Sequence, residues 1–215
     1  MLFDSHAHLT HASFDRDREE IIKKLRDIDI KVLNVGNDIE GSKKAVVLAR
    51  KYPNQIWAAV GFHPDEAEDA DLNFSELKNL AKDNSVVAIG ECGLDYYKAP
   101  SDVRQEAGKK QKEIFIKQIE LAKELKKPLI LHCRPSNESE DAYNDALVIL
   151  AACHMSLAAG NGVAHFFSGS KEIAKKFLDL GFYISFAGPI TFTKEYQDAI
   201  EYVPIDKILV ETDAP

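Results

Sequence analysis

The chain of 215 residues is long enough for one large α/β domain, and 45% hydrophobic with 29% charged residues is typical of a globular protein. A formal charge of −8 argues against coating of nucleic acid by a basic surface, so a nucleic-acid substrate would need a local site. The cysteines lack paired spacing, which argues against a disulfide framework and a thiolate zinc site. Because no basic leader precedes the first strand and no apolar run reaches roughly 20 residues, we expect a cytoplasmic protein without membrane contact.

Short apolar runs recur along the chain with helical stretches between them. The runs are residues 2–3, 31–35, 56–60, 86–89, 128–131, 162–167, 182–186 and 208–210. Their continuous apolar character is typical of parallel strands buried on both faces. The sequence therefore predicts one TIM-type (β/α)8 barrel over residues 1–215. Because the last run is followed directly by the end of the chain at Pro215, we expect a barrel truncated after its eighth strand.

The segments between the runs have the spacing of amphipathic helices. The apolar face of the first helix is predicted to contain Ile21, Ile22, Leu25 and Ile28, and that of the longest helix to include Ile114, Leu121 and Leu125. Pro53, Gly160 and Gly181 are expected to end helices before the next strand. Residues 64–72 and 96–103 are predicted loops on the side of the barrel that builds active sites.

Side chains of the kind that bind metals close several of the apolar runs. They are His6 and His8 in DSHAH, Glu91 in AIGE, His132 in LILHC, His165 in GVAHFF and Asp213 in LVETD. A parallel barrel gathers its strand ends around one rim, where isolated buried charges would be costly without partners. The set therefore predicts a metal site rather than scattered polar residues. Imidazole and carboxylate ligands are typical of magnesium, manganese or zinc, and they suffice for two ions.

Individual roles follow from spacing and order. His6 and His8 are two positions apart, so a strand would present both imidazoles to one ion. Glu91, between the histidine sets in strand order, is the predicted bridge between two ions, which together activate water and stabilise the departing oxygen of a phosphoester. Asp213 is expected to bind metal or to accept a proton from the attacking water. Glu211 should face the same interior and orient a ligand histidine.

Further residues near the rim have open alternatives. His63 in GFHP and Arg134 in HCRP are predicted to bind substrate phosphate oxygens by charge-assisted hydrogen bonds. Cys92 and Cys133 adjoin predicted ligands but should face away from them and pack in the core. His154 is expected to be structural or exposed.

The motifs DSHAHL, GFHP, IGECGLDYY, PLILHCR, HFFSG and ILVETDAP, in this order, resemble those of the TatD family of metal-dependent deoxyribonucleases, a branch of the amidohydrolase-like barrels. The similarity spans the whole chain. It implies one ion held by His6, His8, Glu91 and Asp213, and a second held by Glu91, His132 and His165. It also implies that His63 and Arg134 lie near the substrate phosphate.

The resemblance implies a 3′–5′ exodeoxyribonuclease acting on single strands or 3′ ends of DNA, with magnesium or manganese supporting activity and zinc also able to bind. One departure is Phe166, where the family commonly has cysteine, and we expect this difference to change packing more than chemistry. The family also continues past ETDxP with C-terminal helices that this sequence lacks.

Two other classes of function stay open. The same scaffold can hydrolyse another ester or amide, for example as a D-aminoacyl-tRNA deacylase, because fold and metals do not fix the substrate. The acidic net charge favours this reading over processive DNA binding. A non-enzymatic interaction module is the third possibility, since a truncated barrel would expose apolar strand surface. The oligomeric state is not predicted.

Overall fold

The computed structural model describes residues 1–68, 72–97, 104–153, 160–194 and 196–215. Within these residues one sheet contains eight parallel strands, each hydrogen-bonded to the next in chain order. The strands are β1 (Leu2–Ala7), β2 (Ile30–Val35), β3 (Ile56–Val60), β4 (Val86–Asp95), β5 (Leu129–Arg134), β6 (Gly162–Ala164), β7 (Tyr183–Phe186) and β8 (Ile208–Val210). The predicted TIM-type barrel is confirmed.

The segment after β8 closes the barrel against β1. The backbone N–H of Asp213 donates to the carbonyl of His6 at 2.9 Å, and that of His8 donates to the carbonyl of Ala214 at 2.7 Å. These bonds hold the chain on either side of the seam at a fixed distance. Three predicted metal ligands therefore lie side by side, namely His6 in β1, His8 directly after β1, and Asp213 after β8.

Helices connect the strands and cover the outside of the barrel. In the described ranges they are α1 (Arg18–Asp27), α2 (Ile39–Lys51), α3 (Phe74–Ala81), α4 (Arg104–Leu125), α5 (Asp141–Ala152), α6 (Lys171–Asp179) and α7 (Gln197–Tyr202). Short 3-10 turns lie at Ala12–Phe14, Pro64–Glu68, Gly188–Thr191 and Ile205–Lys207. Across the part of the chain that the structure describes, no helix combines the length and apolar character needed to cross a membrane.

The predicted helix ends are largely confirmed. The α2 helix ends two residues before Pro53, and α6 ends shortly before Gly181, whose φ of 80° is a left-handed conformation that glycine adopts easily. The prediction for Ile28 was wrong, because this residue follows the end of α1 and is 66% exposed. His154 lies outside the described residues, as do the residues just before Gly160 and parts of both predicted loops.

Two apolar clusters lie on opposite faces of the sheet. The larger cluster fills the space between strands and helices, and it contains Cys92 and Cys133, as predicted. The smaller cluster fills the barrel interior with Leu33, Val35, Ala59, Ala88, Ile130 and Val163. Burial raises the pKa of the Cys92 thiol well above its usual value, so the group is an uncharged packing residue.

Candidate metal centre

The carboxyl ends of the strands surround a cavity of about 820 Å³. Its wall includes predicted ligands from widely separated parts of the sequence, namely His8, Glu91, His132, His165 and Asp213. The sixth predicted ligand, His6, lies behind them at the end of β1 and is fully buried. The cavity has the size of a small-molecule site.

Glu91 is the centre of this cluster and is 3% exposed. Its Oε2 atom lies 3.3 Å from Nε2 of His6 and 3.6 Å from Nε2 of His8. Its Oε1 atom lies 2.8 Å from Nδ1 of His132 and 2.8 Å from Nε2 of His165. The two oxygens of one carboxylate therefore face two different sets of imidazoles.

The first set has the spacing of metal ligands. Nε2 of His6 and Nε2 of His8 are 3.1 Å apart, and Oδ1 of Asp213 lies 3.6 Å from the first and 3.5 Å from the second. An ion with tetrahedral ligands at about 2.0–2.2 Å places those ligands about 3.3–3.6 Å apart. The separations of 3.3–3.6 Å that link these imidazoles to Asp213 and to Oε2 of Glu91 match this spacing, and the 3.1 Å between the two imidazoles is slightly shorter.

In the second set, two donor atoms lie closer to Oε1 of Glu91 than metal ligands normally lie to one another, and a third lies farther away. The 2.8 Å separations from Oε1 of Glu91 to His132 and His165 are hydrogen-bond distances, shorter than the edge of a metal tetrahedron. Nε2 of His63 lies 3.7 Å from the same oxygen. Donor atoms of His63, Glu91 and His132 come within 4.8 Å of one another, so His63 belongs to this set by position.

Several of the imidazoles contact an oxygen atom on the side that faces away from Glu91. The contacts are Nδ1 of His8 with the carbonyl of Val35 at 2.9 Å, Nε2 of His132 with Oδ2 of Asp95 at 3.1 Å, and Nδ1 of His165 with Oε1 of Glu211 at 3.4 Å. An imidazole that donates from one nitrogen presents a lone pair at the other. Where the proton lies on the nitrogen beside these oxygens, the other nitrogen is available to a metal ion next to Glu91, so this donor set fits a metal.

Electrostatics favour a charged carboxylate at the centre. Burial by itself raises the pKa of Glu91, but the imidazoles of His165 and His6 outweigh it and hold that pKa well below its usual value. For His63, burial and the neighbouring His132 lower the imidazole pKa to about 4. His63 is therefore uncharged near neutral pH in this arrangement, and its N–H can still donate to an anionic phosphate, so the expected contact stays a prediction.

Asp95 was missed by the sequence analysis. It ends β4, is 4% exposed, and accepts from the N–H of Tyr97 at 3.0 Å through the oxygen that does not face His132. The predicted strand stopped at Ile89, whereas β4 continues through the glycine-containing segment ECGLD. The acidic residue at the end of this segment was the available signal, because an acid closing a barrel strand is expected at the rim.

Arg134 and Phe166 occupy the wall of the same cavity. Arg134 is exposed, and its guanidinium carbon lies 4.1 Å from the ring centroid of Tyr97. Phe166 is 37% exposed and lines the cavity, whereas the following residue, Phe167, is buried at 2% exposure. The expectation that Phe166 changes packing more than chemistry stays a prediction.

Left-handed backbone occurs at two of the non-glycine residues on the rim. Asp213 has a φ of 53° and Phe166 has a φ of 44°. This conformation costs a residue with a side chain about 1–2 kcal/mol, and such strain concentrates at functional sites. At Phe166 the strain is offset by a hydrogen bond of 2.5 Å, in which its N–H donates to Oε1 of Glu211.

Comparison with known proteins agrees with this geometry. A family model described as TatD related DNase matches residues 3–215. The chain belongs to the TatD family. It is 38% identical to the uncharacterized metal-dependent hydrolase YabD of Bacillus subtilis, over all of this chain and 80% of that protein. It is 32% identical to the 3′-5′ ssDNA/RNA exonuclease TatD of Salmonella typhimurium, over all of this chain and 79% of that protein.

Solved structures of TatD proteins share the fold. The crystal structure of YJJV, a TatD homolog from Escherichia coli K12, matches with a TM-score of 0.86 at 29% identity, over all of this chain and 79% of that one. A hydrolase of the TatD family from Entamoeba histolytica matches with a TM-score of 0.80 at 22% identity, over 99% of this chain and 73% of that one, and this likeness concerns the fold alone. This TatD-family chain is a metal-dependent hydrolase.

Proposed function

We propose that this TatD-family hydrolase cleaves phosphodiester bonds of single-stranded nucleic acid from the 3′ end, with DNA as the primary substrate and two divalent cations as cofactors. The observation that carries the proposal is the position of Glu91, whose oxygens face separate donor sets at 2.8–3.6 Å. The similarity to the 3′-5′ ssDNA/RNA exonuclease TatD of Salmonella typhimurium supports the same substrate class.

We assign the ligands as the family resemblance implies. One ion would be held by His6, His8, Glu91 and Asp213, and the other by Glu91, His132 and His165, with magnesium or manganese as the expected metal in function and zinc as an alternative. When bound, two such ions lower the pKa of a water molecule and neutralise charge on a phosphate. His63 is close enough to the second set to assist substrate binding there.

The residues of the chain supply proton transfer and orientation. Asp213 lines the cavity, and its side chain is 28% exposed, so it can accept a proton from a water molecule attacking the phosphorus. Burial by itself raises the pKa of Asp213, but the hydrogen bond from His8 and the nearby imidazoles of His165 and His6 together lower it, which keeps Asp213 a carboxylate. Arg134 presents a planar guanidinium that can donate two hydrogen bonds to the scissile phosphate.

The cavity wall contains more acidic than basic residues, which favours a reaction in which divalent cations help to bind an anionic substrate. Its acidic residues are Asp38, Glu40, Glu66, Glu91 and Asp213, and its lysine and arginine residues are Lys44 and Arg134. An anionic phosphate would be repelled by this wall unless divalent cations neutralised it. A bare acidic cavity is a poor phosphate site, whereas the same cavity with two cations attracts phosphate.

A substrate panel tests the proposal. The full chain is loaded with manganese and incubated with 5′-labelled single-stranded DNA, the same strand ending in a 3′ phosphorothioate linkage, single-stranded RNA and a D-aminoacyl-tRNA. We expect a ladder of products shortened from the 3′ end and a block at the phosphorothioate. Faster turnover of D-aminoacyl-tRNA than of either nucleic-acid strand would establish the deacylase alternative instead.

Replacement of the bridging residue tests the metal assignment. Glu91→Gln should reduce turnover about 1,000-fold or more, because an amide offers only one oxygen and cannot serve both donor sets. It should also lower the number of ions retained per chain, measured by mass spectrometry of the metal. Glu40→Gln is the matched control, since Glu40 lines the same cavity but pairs with Lys43 at 2.7 Å. Undiminished metal-dependent cleavage by Glu91→Gln would contradict the assignment.

A further inference from the structure

We infer that Phe166 is the surface on which the base of the terminal nucleotide stacks, and the choice of a nucleotide as ligand rests on the proposed nuclease function. The inference starts from the position of the ring. Phe166 lines the cavity and follows His165 directly in the chain, with 6.2 Å between the two ring centroids. A nucleotide whose phosphate lies among the histidines can therefore reach the phenyl ring with its base.

The exposure of Phe166 contrasts with that of its neighbour. Phe167 is 2% exposed, and its ring packs against Tyr143, Phe177 and Phe186 with centroid separations of 5.3, 6.4 and 6.2 Å. Phe166 is 37% exposed instead, in a cavity whose lining residues are mostly polar or charged. An apolar aromatic face in such a wall is unfavourable in water and gains by contact with a flat, apolar ligand surface.

The backbone of Phe166 adopts an unfavourable conformation that places its side chain in the cavity wall. A phenylalanine with a φ of 44° is an outlier, because left-handed backbone is unfavourable for a bulky side chain. The hydrogen bond from its N–H to Glu211 fixes this conformation, and Glu211 is itself buried at 8% exposure. The same carboxylate lies 3.4 Å from Nδ1 of His165. One buried acid therefore positions both a predicted metal ligand and the exposed ring beside it.

Stacking on a phenyl ring suits an enzyme that removes any nucleotide. Every base has a π face, so aromatic stacking contributes to binding without reading the sequence. Among the described residues of the cavity wall, the aromatic side chains other than histidine are Phe166 and Tyr196. Phe166 is the one of these two that adjoins a predicted ligand, and it is therefore the residue expected to contact the base at the cleavage site.

A binding experiment that needs no cleavage tests the inference. The affinity of the manganese-loaded chain is measured by calorimetry for thymidine 5′-monophosphate and for 2-deoxyribose 5-phosphate, which lacks the base. We expect the wild type to prefer the nucleotide by about 5- to 100-fold, the range that stacking on one aromatic side chain provides. Phe166→Leu should remove this preference, and Phe166→Trp should retain or increase it.

Phe192→Leu is the matched control, because Phe192 is 81% exposed and lies outside the cavity wall. Leucine keeps the apolar character at position 166 and faces the same backbone strain as phenylalanine, and metal content shows whether Phe166→Leu preserves the site. Equal affinities for the two ligands in the wild type, or a preference that survives in Phe166→Leu, would overturn the inference. A base preference without cleavage of any nucleic acid would reject the proposed nuclease function and leave the assignment of Phe166 standing.

Discussion

The two ends of the barrel interior are built by the same strands and differ in chemistry. At the amino-terminal end, the ring of Trp57 lies 5.5 Å from the ring of Phe3 and contacts the ammonium of Lys31. The ring of Tyr183 contacts the ammonium of Lys207 in the same way. At the carboxyl-terminal end, imidazoles and carboxylates surround Glu91. One end packs apolar side chains, and the other concentrates the polar groups that we assign as metal ligands.

Strand β8 and the residues after it show how the change is made. Leu209 packs against the apolar interior, whereas Glu211, two positions later on the same face, lies 3.4 Å from Nδ1 of His165. Two successive positions that face the barrel interior therefore have different roles, since the first packs in the apolar interior and the second contacts a residue of the candidate site. This division predicts that stability and function can be altered separately in this fold, as expected for a barrel whose loops carry the active site.

The largest effect on stability is expected at the amino-terminal end. Trp57→Ala removes an indole that contacts the interior cluster and the ring of Phe3, and it should lower the free energy of unfolding by about 3 kcal/mol. Urea denaturation measures this loss. Metal content and turnover of the folded fraction should stay unchanged, because the substitution lies at the opposite end from Glu91.

Ile205→Ala is the control for loss of apolar surface, since Ile205 is 86% exposed and should change stability by less than about 0.5 kcal/mol. If Trp57→Ala released metal while remaining folded, the two ends would be coupled and the division described above would be wrong.

An intermediate effect is expected at Asp95, which acts on the site through His132. Asp95→Asn removes the negative charge that holds Nε2 of His132 at 3.1 Å, so the imidazole becomes a weaker and less well oriented ligand. We expect metal affinity to fall about 10- to 100-fold, measured by competition with a chelator, with little change in Tm. Excess manganese should restore most of the activity, which a folding defect would not allow.

Asp145→Asn is the matched control for Asp95→Asn. Asp145 binds the hydroxyl of Tyr96 at 2.9 Å and Lys112 at 2.7 Å, so it is an acid near the end of β4 without contact to an imidazole. A drop in metal affinity of the same size in both variants would show that Asp95 has no special role in orienting His132.

Much of the fold and of the candidate site was accessible from the sequence. The strands were readable because buried parallel strands are continuously apolar, and the cluster was readable because His132, His165 and Asp213 each stand at the end of such a run. Glu91 was expected to serve two sets of ligands, and the structure places its two oxygens accordingly. The assignment of these residues as metal ligands stays a prediction.

The missed features depend on local backbone geometry. The last part of β4 contains Gly93 with a φ of 144°, and a segment rich in glycine and polar residues lacks the apolar pattern of a strand, so Asp95 was not placed at the rim. The direction of Phe166 depends on a positive φ that residue type does not predict. Apolar periodicity locates strands, but it does not report where an irregular backbone turns a side chain.

The smallest effect is expected far from both ends, at the contact between α2 and the loop before β4. Asp83 accepts hydrogen bonds from Arg50 and Ser85, and the bond from Arg50 lowers the pKa of Asp83 from 3.8 to about 2. A lowered pKa in the folded state contributes stability above the unfolded pKa and loses it as pH falls from about 4 to 2. Because Arg50 is 65% exposed, Asp83→Asn should lower the free energy of unfolding by only about 1 kcal/mol at pH 7, and this deficit relative to the wild type should shrink below pH 4.

Asp179→Asn is the control, because it removes an exposed partner of Lys175 and should show a smaller deficit. A deficit for Asp83→Asn that is constant from pH 7 to pH 3 would mean that the Asp83 side chain stabilises the loop without its charge.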